Sequence, residues 1–432
     1  MAKKARRTAK KSSAKKNQST ASMAKSEPTT EPVQKGLGAT KRGSLELIGT
    51  LVVGAILTTL VVAHGVTSPA YRKTSHIMEH VWSLGEATGL YKRPTAAAWH
   101  AIARQVHTFT RSCFFLSGAV SSDETKPWSA VRSMWDASVP LAQYQRSWGD
   151  VYFALTWGMI LYMIRTVLTH LVLLPVSRIL VKRPDSKLSP AIQQHRFERK
   201  VCRFAEQSWI VILYTTSLVM VMSVVVKMPF WPTKLEFLWR DYPHTTMDAL
   251  TKVVYLWEAS NYVHQLFVIN LEERRSDFWQ MLIHHIVTLF LIGGSFTASF
   301  YRVGYAILAL MDPADVCLGT AKLLKYMGWQ TVCDIMFGVF MVVWTITRHI
   351  LYAVVWYSCY RDAPAVISFK TSVDLASGHM LTQTTYTVFL VLLGVLQFIL
   401  LIWFGMIVNV AVHVLTKGKA VDSRSDQDSD SD

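Results

Sequence analysis

Two histidines stand side by side at His284 and His285, and Thr288, Ser295, Ser299 and Arg302 follow them in an otherwise apolar stretch. At about 100° per residue, Arg302 returns to the azimuth of His284, and Thr288, Ser295 and Ser299 lie within roughly 60° of it. A helix over 279–302 would thus carry a polar stripe along one face, with His285 turned about 100° away. Asp312 and Asp315 are three apart and hence neighbours on a helix. Pro313 between them loosens the backbone, and Lys322 follows two turns on. Glu258, Asn261 and Gln265 make a third polar set, and Asp334, Trp344, Arg348 and His349 a fourth. An imidazole can take a proton from an amine or hydroxyl nucleophile, or accept an acyl group itself, while a carboxylate fixes its tautomer and supports its charge. Spacing alone leaves acyl transfer and proton-coupled transport both open. Metal binding is not expected. Adjacent histidines diverge on a helix, there is no HxxHH or HExxH box, and the one i,i+4 pair, His76 and His80, lies elsewhere.

These segments belong in lipid. The 432-residue chain is 51% hydrophobic and only 17% charged, where soluble domains carry about 25% charged residues, and its mean hydropathy is +0.25. Fifteen Trp and sixteen Tyr suit lipid–water interfaces. That composition excludes a soluble enzyme with one apolar helix. Five Cys without CxxC spacing argue against a disulfide framework or a zinc site. Since a bilayer core of about 30 Å needs roughly 20 apolar residues per helix, spans are expected near 46–64, 151–176, 208–226, 332–359 and 385–416. Three more polar ones are expected near 249–269, 279–299 and 302–326. Lipid cannot satisfy polar stripes, so they must face one another. The expected fold is all-α, a polytopic membrane bundle of about eight transmembrane helices around a polar intramembrane chamber.

The flanks complete the layout. Residues 1–45 read as a disordered basic cytosolic tail: residues 1–43 hold twelve Lys and Arg against Glu27 and Glu31. A polybasic arm near anionic lipid explains it better than nucleic-acid binding. Residues 46–64 form the first span, read as a signal anchor. Residues 65–149 form a lumenal or interfacial segment, within which 99–120 is where the count of spans is weakest. Residues 150–416 form one multi-span domain that holds the polar sets, and 417–432 an acidic Ser/Asp tail whose serines often have Asp three positions on, a pattern for phosphorylation. Lys and Arg cluster in alternate loops, at Arg178–Arg203, Arg274, Arg275, Lys325, Lys417 and Lys419, which places both termini in the cytosol and leaves the sequon at Asn17 unglycosylated.

From His284 the text HHIVTLFLIGGSFTASFYRVGYAILALMDPADVCLGTAKLLKY resembles the Lag motif of ceramide synthases, the longevity-assurance family of TLC-domain proteins. The matching residues are His284, His285, Thr288, Ser295, Phe296, Arg302, Gly304, Asp312, Asp315, Ala321, Lys322 and Tyr326, supported by LEERRSDFWQMLIHH (271–285), the YPH at 242–244, and Phe153, Trp157 and Arg165 before Leu174-Pro175. The resemblance covers roughly 145–415. Phe296 stands where Tyr is usual, Ser299 where Asn is common, Met311 where animal members often have His, and Gly319 where Glu is common. Met311, and the lack of a homeobox-like insert between the first two spans, are similar to fungal members.

The resemblance implies a multi-pass endoplasmic-reticulum enzyme that N-acylates a sphingoid base, dihydrosphingosine or phytosphingosine, with a fatty acyl-CoA as co-substrate and no bound cofactor. It implies catalysis by His284 or His285, as general base or acyl acceptor, with Asp312 and Asp315 orienting and charge-balancing it. Thr288, Ser295, Ser299, Arg302, Lys322, Trp344 and Arg348 would meet substrate, and Arg274 and Arg275 would meet the phosphates of CoA at the cytosolic mouth. Its partners would be these substrates and membrane lipid, with no nucleic acid; a homodimer and a complex with a small single-span subunit both fit. A non-catalytic TLC-domain lipid-handling or translocon-associated factor is the alternative, and such a factor would not be expected to keep both the His pair and the Asp pair.

Overall fold

The computed structural model describes residues 32–68, 83, 87–88, 96–120, 143–183, 189–229, 234–271, 277–369, 372–373 and 381–417. Residues 1–31 of the basic tail, the acidic tail beyond Lys417, and Arg274 and Arg275 lie outside the described residues, while residues 32–45 of the expected tail form the start of the first helix. Nine helices run through the described part: α1 (Pro32–Thr67), α2 (Ala96–Phe114), α3 (Gly149–Leu180), α4 (Pro190–Val225), α5 (Ala249–Leu271), α6 (Phe278–Thr297), α7 (Tyr301–Met327), α8 (Gln330–Val366) and α9 (Gln383–Lys417). Strands β1 (Gln143–Gln145) and β2 (Thr246–Asp248) pair antiparallel, with Tyr144 opposite Met247. The ribbon marks one end of the bundle; α3, α5, α7 and α9 all start there, and α4, α6 and α8 start at the far end.

Six of these helices are long and apolar enough to cross a membrane: α3, α4, α6, α8, the Leu47–Gly65 part of α1 and the Gln383–His413 part of α9. The chain is therefore a polytopic membrane protein. The other two of the expected eight, α5 and α7, are not among these six, because they do not pass on apolarity. Both are long enough, at 23 and 27 residues and about 1.5 Å per residue. However, α5 buries Thr251, Lys252, Glu258, Ser260, Asn261 and His264, and α7 carries Arg302, Asp312, Asp315 and Lys322. They are sheltered instead. Helix α5 packs on α3, α4 and α6, and α7 on α4, α6 and α8, so their polar groups meet protein rather than lipid. Helix α2, inside the ambiguous stretch, packs on α1 and α3 and is not among the apolar spans.

The structure corrects the polar stripe expected over 279–302. Helix α6 stops at Thr297, Ser299 adopts a left-handed φ of 63°, and the chain restarts as α7. The ending is a Schellman motif: Phe300 N–H donates to the Ser295 carbonyl at 2.6 Å and Ser299 N–H to Phe296 at 3.4 Å. Helix α7 ends the same way on Gly328, φ 83°. The stripe therefore breaks before Arg302, whose guanidinium donates to the carbonyls of Phe237 (2.9 Å) and Arg240 (3.4 Å) in the loop ahead of β2.

The ribbon end is held by buried charge. The Lys252 ammonium, fully buried, is met by Asp150 at 2.8 Å and by the carbonyls of Ser117 and Gln145 at 2.7 Å each. All three of its protons thus have acceptors. Arg146 donates to the Thr297 carbonyl, and burial holds its guanidinium below the ordinary range, with Tyr242 acting in the opposite direction. Tyr242 OH donates to Ala298 at 2.9 Å. Loops from four parts of the chain are tied in this way across the end of α6.

Candidate active site

Two cavities among the described residues bear on the polar sets. The first, about 740 Å³, lies in the half nearer the ribbon and is lined almost wholly by apolar side chains, among them Ile292, Val303, Leu308, Phe389 and Leu393. Its few polar groups mostly satisfy one another. Tyr255 OH and Ser295 Oγ are 2.5 Å apart, Trp239 donates to Ser358 at 3.0 Å, and Tyr386 OH donates to the Cys359 carbonyl at 3.0 Å. Gly304 has a specific reason here: a Cβ would collide with the Tyr255 hydroxyl. Thr288 lines this cavity with its hydroxyl buried and unpartnered.

The second, about 1460 Å³, lies toward the far end and is lined by Arg165, Glu206, Trp209, Tyr214, His264, Gln265, Asp277, His285, Asp315, Lys322, Trp344, Arg348 and Trp403, among others. Arg348 donates to Asp315 at 2.6 Å and to the Met311 carbonyl at 2.7 Å, and its guanidinium lies 4.1 Å from the centre of the Trp344 ring. It is aimed by a π-helical turn, Thr345–Leu351, within α8, the type of irregularity often found at functional sites. The same turn sends His349 the other way. Its Nε2 lies 3.3 Å from the Trp344 indole nitrogen and its Nδ1 3.0 Å from the Gln397 amide. Nε2 accepts from Trp344, so Nδ1 carries the proton. The Gln397 amide is therefore assigned with its oxygen toward the ring, which also satisfies an otherwise orphaned Oε1.

His284 lines both cavities, and it is the one residue common to both linings. Its ring sits 5.6 Å from His285, 5.2 Å from Trp403 and 6.4 Å from Tyr262, centre to centre. Its Nδ1 is buried without a partner. His285 is 3% exposed, lines only the polar chamber, and also buries an unpartnered Nδ1.

The two aspartates part company. Asp315 faces the chamber in its pair with Arg348, while Asp312 is 1% exposed, lines neither cavity, and lies within electrostatic reach of Glu258 on α5. Among the described residues no hydrogen bond or ion pair joins either aspartate to either histidine. Lys322 and Trp344 line the polar chamber and Ser295 the apolar cavity. Ser299 and Arg302 line neither. Asp334, expected near Arg348, instead accepts from Gln330 at 2.7 Å. Among the described residues no group of three or more His, Cys, Asp or Glu side chains is placed to hold a metal.

Sequence reasoning missed Tyr255, Tyr262 and Trp239 around the apolar cavity and His264, Trp209 and Trp403 around the chamber. His264 had a signal, since it falls beside Gln265 in the α5 polar set. The aromatic residues had none, because a Tyr or Trp in a membrane helix reads equally well as an interface anchor.

The TLC domain family model matches residues 203–409. The chain is 37% identical over 233 residues to sphingosine N-acyltransferase lag1 of Schizosaccharomyces pombe, covering 54% of this chain and 59% of that protein. It is 34% identical over 257 residues to the ceramide synthase FUM18 of Gibberella moniliformis, 54% and 60%. It is also 30% identical over 225 residues to ceramide synthase 4 of Bos taurus, 52% and 54%. The matches thus span little more than half the length of these relatives.

Proposed function

We propose, from its similarity to TLC-domain proteins and ceramide synthases, that this chain transfers a fatty acyl group from acyl-CoA to the amine of a sphingoid base. The observation that carries this reading is His284, which alone touches both cavities. A hydrocarbon chain suits the apolar cavity, the polar CoA portion suits the chamber, and the thioester between them then falls at the imidazole. His284 is the reacting histidine. Its free nitrogen attacks the thioester carbonyl, the C–S bond breaks, and the CoA thiolate leaves and takes up a proton. The sphingoid amine then attacks the acyl-imidazole, the C–N bond to His284 breaks, and the amine's surplus proton departs as the amide forms. His285 shapes the chamber beside it, and Asp315 with Arg348 fixes charge on the opposite wall. The protein works in the endoplasmic-reticulum membrane with both termini cytosolic, following the Lys and Arg bias of its loops.

The test uses purified protein, dihydrosphingosine or phytosphingosine, and acyl-CoAs of graded length, read by mass spectrometry. Wild type yields ceramide, and His284→Ala loses at least about a thousandfold in rate. With acyl-CoA alone, the acyl mass appears on the peptide bearing His284. Acylation of His285 instead would overturn the assignment. No ceramide from folded protein in native membranes would favour a non-catalytic lipid-handling factor.

A further inference from the structure

The polar chamber holds a third histidine whose environment is chemically incomplete. His264, on α5, is 1% exposed and lines the chamber. Neither of its ring nitrogens has a hydrogen-bond partner. Facing it from α4 is Trp209, 5% exposed, with ring centres 5.7 Å apart. The Trp209 indole N–H is also unpartnered. A buried polar atom without a partner costs roughly 1–3 kcal/mol. Three such atoms on two facing rings are therefore a destabilising cluster unless something enters the chamber to bond them.

What enters can be narrowed by chemistry. A neutral imidazole offers one donor and one acceptor, and the indole adds a donor, so the complement is an uncharged group with both a carbonyl and an N–H. Arg165, 6% exposed, lies within electrostatic reach of His264 and lines the same chamber, which disfavours an ammonium group such as that of a sphingoid base. His285 lies within the same electrostatic reach, so the site is close to the histidine pair. A secondary amide meets these conditions.

Resting on the function proposed above, we infer that His264 and Trp209 form a subsite for the amide-bearing pantetheine arm of acyl-CoA, between the chamber's open end and the thioester at His284. One ring nitrogen of His264 donates to the carbonyl of one of the arm's two amides and the other accepts from the N–H of the second, while Trp209 donates to an amide carbonyl. Both are binding residues, and they act on thioester placement rather than on bond-making.

The experiment uses the purified full chain as wild type, His264→Ala, His264→Gln and Trp209→Phe. Binding of the unreactive thioether S-hexadecyl-CoA and of adenosine 3′,5′-bisphosphate is measured by calorimetry, and the KM for palmitoyl-CoA and for dihydrosphingosine by turnover. The expected result is that His264→Ala weakens S-hexadecyl-CoA and raises the palmitoyl-CoA KM by the same factor, about tenfold. Trp209→Phe, which keeps a ring and deletes the N–H, costs about threefold, and His264→Gln recovers most of the loss. The KM for the sphingoid base and the affinity for adenosine bisphosphate stay within about twofold of wild type. A loss falling on the sphingoid base or on the adenosine bisphosphate would overturn the subsite. So would a wild-type protein that does not bind S-hexadecyl-CoA, or a folded His264→Ala protein that binds it as wild type does. Tight, His264-dependent binding without any ceramide would keep the subsite and sink the catalytic reading alone.

Discussion

The two cavities share α5 to α9, with α3 and α4 lining only the chamber, and they differ in what their polar atoms do. In the apolar cavity Tyr255, Ser295, Trp239 and Tyr386 bond to protein, so apart from the Thr288 hydroxyl and His284 the surface left over is mostly hydrocarbon. In the chamber Arg348 pairs with Asp315, but Arg348 at its Nε, and His264, Trp209, Trp403 and His285, each leave at least one buried polar atom unbonded. A self-satisfied surface takes a ligand through area alone; an unsatisfied one takes it through matching donors and acceptors. His284 stands where one regime meets the other, which is where a molecule half hydrocarbon and half polar would be cleaved.

The largest expected break in that contrast is at the ion pair. Replacing Asp315 by Asn leaves the Arg348 guanidinium, 5% exposed, without its carboxylate and is expected to destabilise the protein by about 3–5 kcal/mol. Arg348→Met costs less, because Asp315 is 27% exposed and can be reached by water. The double variant Asp315→Leu with Arg348→Met recovers most of the stability, since a buried pair can often be exchanged for apolar side chains. Thermal unfolding in detergent of the four proteins measures this. Equal losses for both single variants, with no recovery in the double, would mean that the chamber is held by something other than paired charge.

A smaller effect sharpens the contrast from the ribbon end, beyond the apolar half. His244 is 7% exposed with both ring nitrogens unpartnered, its ring 5.8 Å from Tyr301 and 6.5 Å from Tyr242. Burial, followed by the charge of Arg302, lowers its pKa to about 4, with Asp241 acting in the opposite direction. The ordinary value is 6.5. Between these values the unfolded chain binds a proton that the folded one does not, so stability falls as pH drops from about 6.5 to about 4. Above that window it does not depend on this group. The loss reaches about 3 kcal/mol at the acid end. Unfolding midpoints measured from pH 7 to pH 4 should fall in wild type and fall less in His244→Phe. Parallel curves would rule the residue out.

How much of this was legible depended on whether a residue's role is set by its own helix or by a neighbour. The His pair, the Asp pair and the existence of a polar chamber follow from polar residues in apolar segments, which must turn inward. The separation of Asp312 from Asp315 was not readable, because it depends on Glu258 and Arg348 arriving from α5 and α8. The apolar cavity left no sequence mark either: Leu393 and Phe389 pattern like lipid-facing residues until Tyr255 and Phe300 are seen across from them. That α5 and α7 fall short on apolarity alone has the same reason, since only their surroundings excuse their charge. Arg302 was misplaced by assuming one unbroken helix through Ser299, when the run to Thr297 and the restart at Tyr301 turn on a single left-handed residue.

That residue supplies the smallest test. A left-handed backbone costs a non-glycine residue about 1–2 kcal/mol, and the Ser299 hydroxyl is also buried without a partner, although the residue lines neither cavity. Gly removes both penalties and gives back roughly 0.5–1 kcal/mol in unfolded-chain entropy, so Ser299→Gly is expected to stabilise by about 1 kcal/mol. Ser299→Asn gains less, because Asn tolerates the conformation but adds polar atoms to the same buried spot. Ser299→Val, β-branched at a positive φ, should destabilise by more than either gains. Denaturation of the three variants settles the order. If Gly stabilised the protein yet cost turnover, the hydroxyl would be a substrate contact, and the apolar cavity would reach further toward the ribbon end than its present lining.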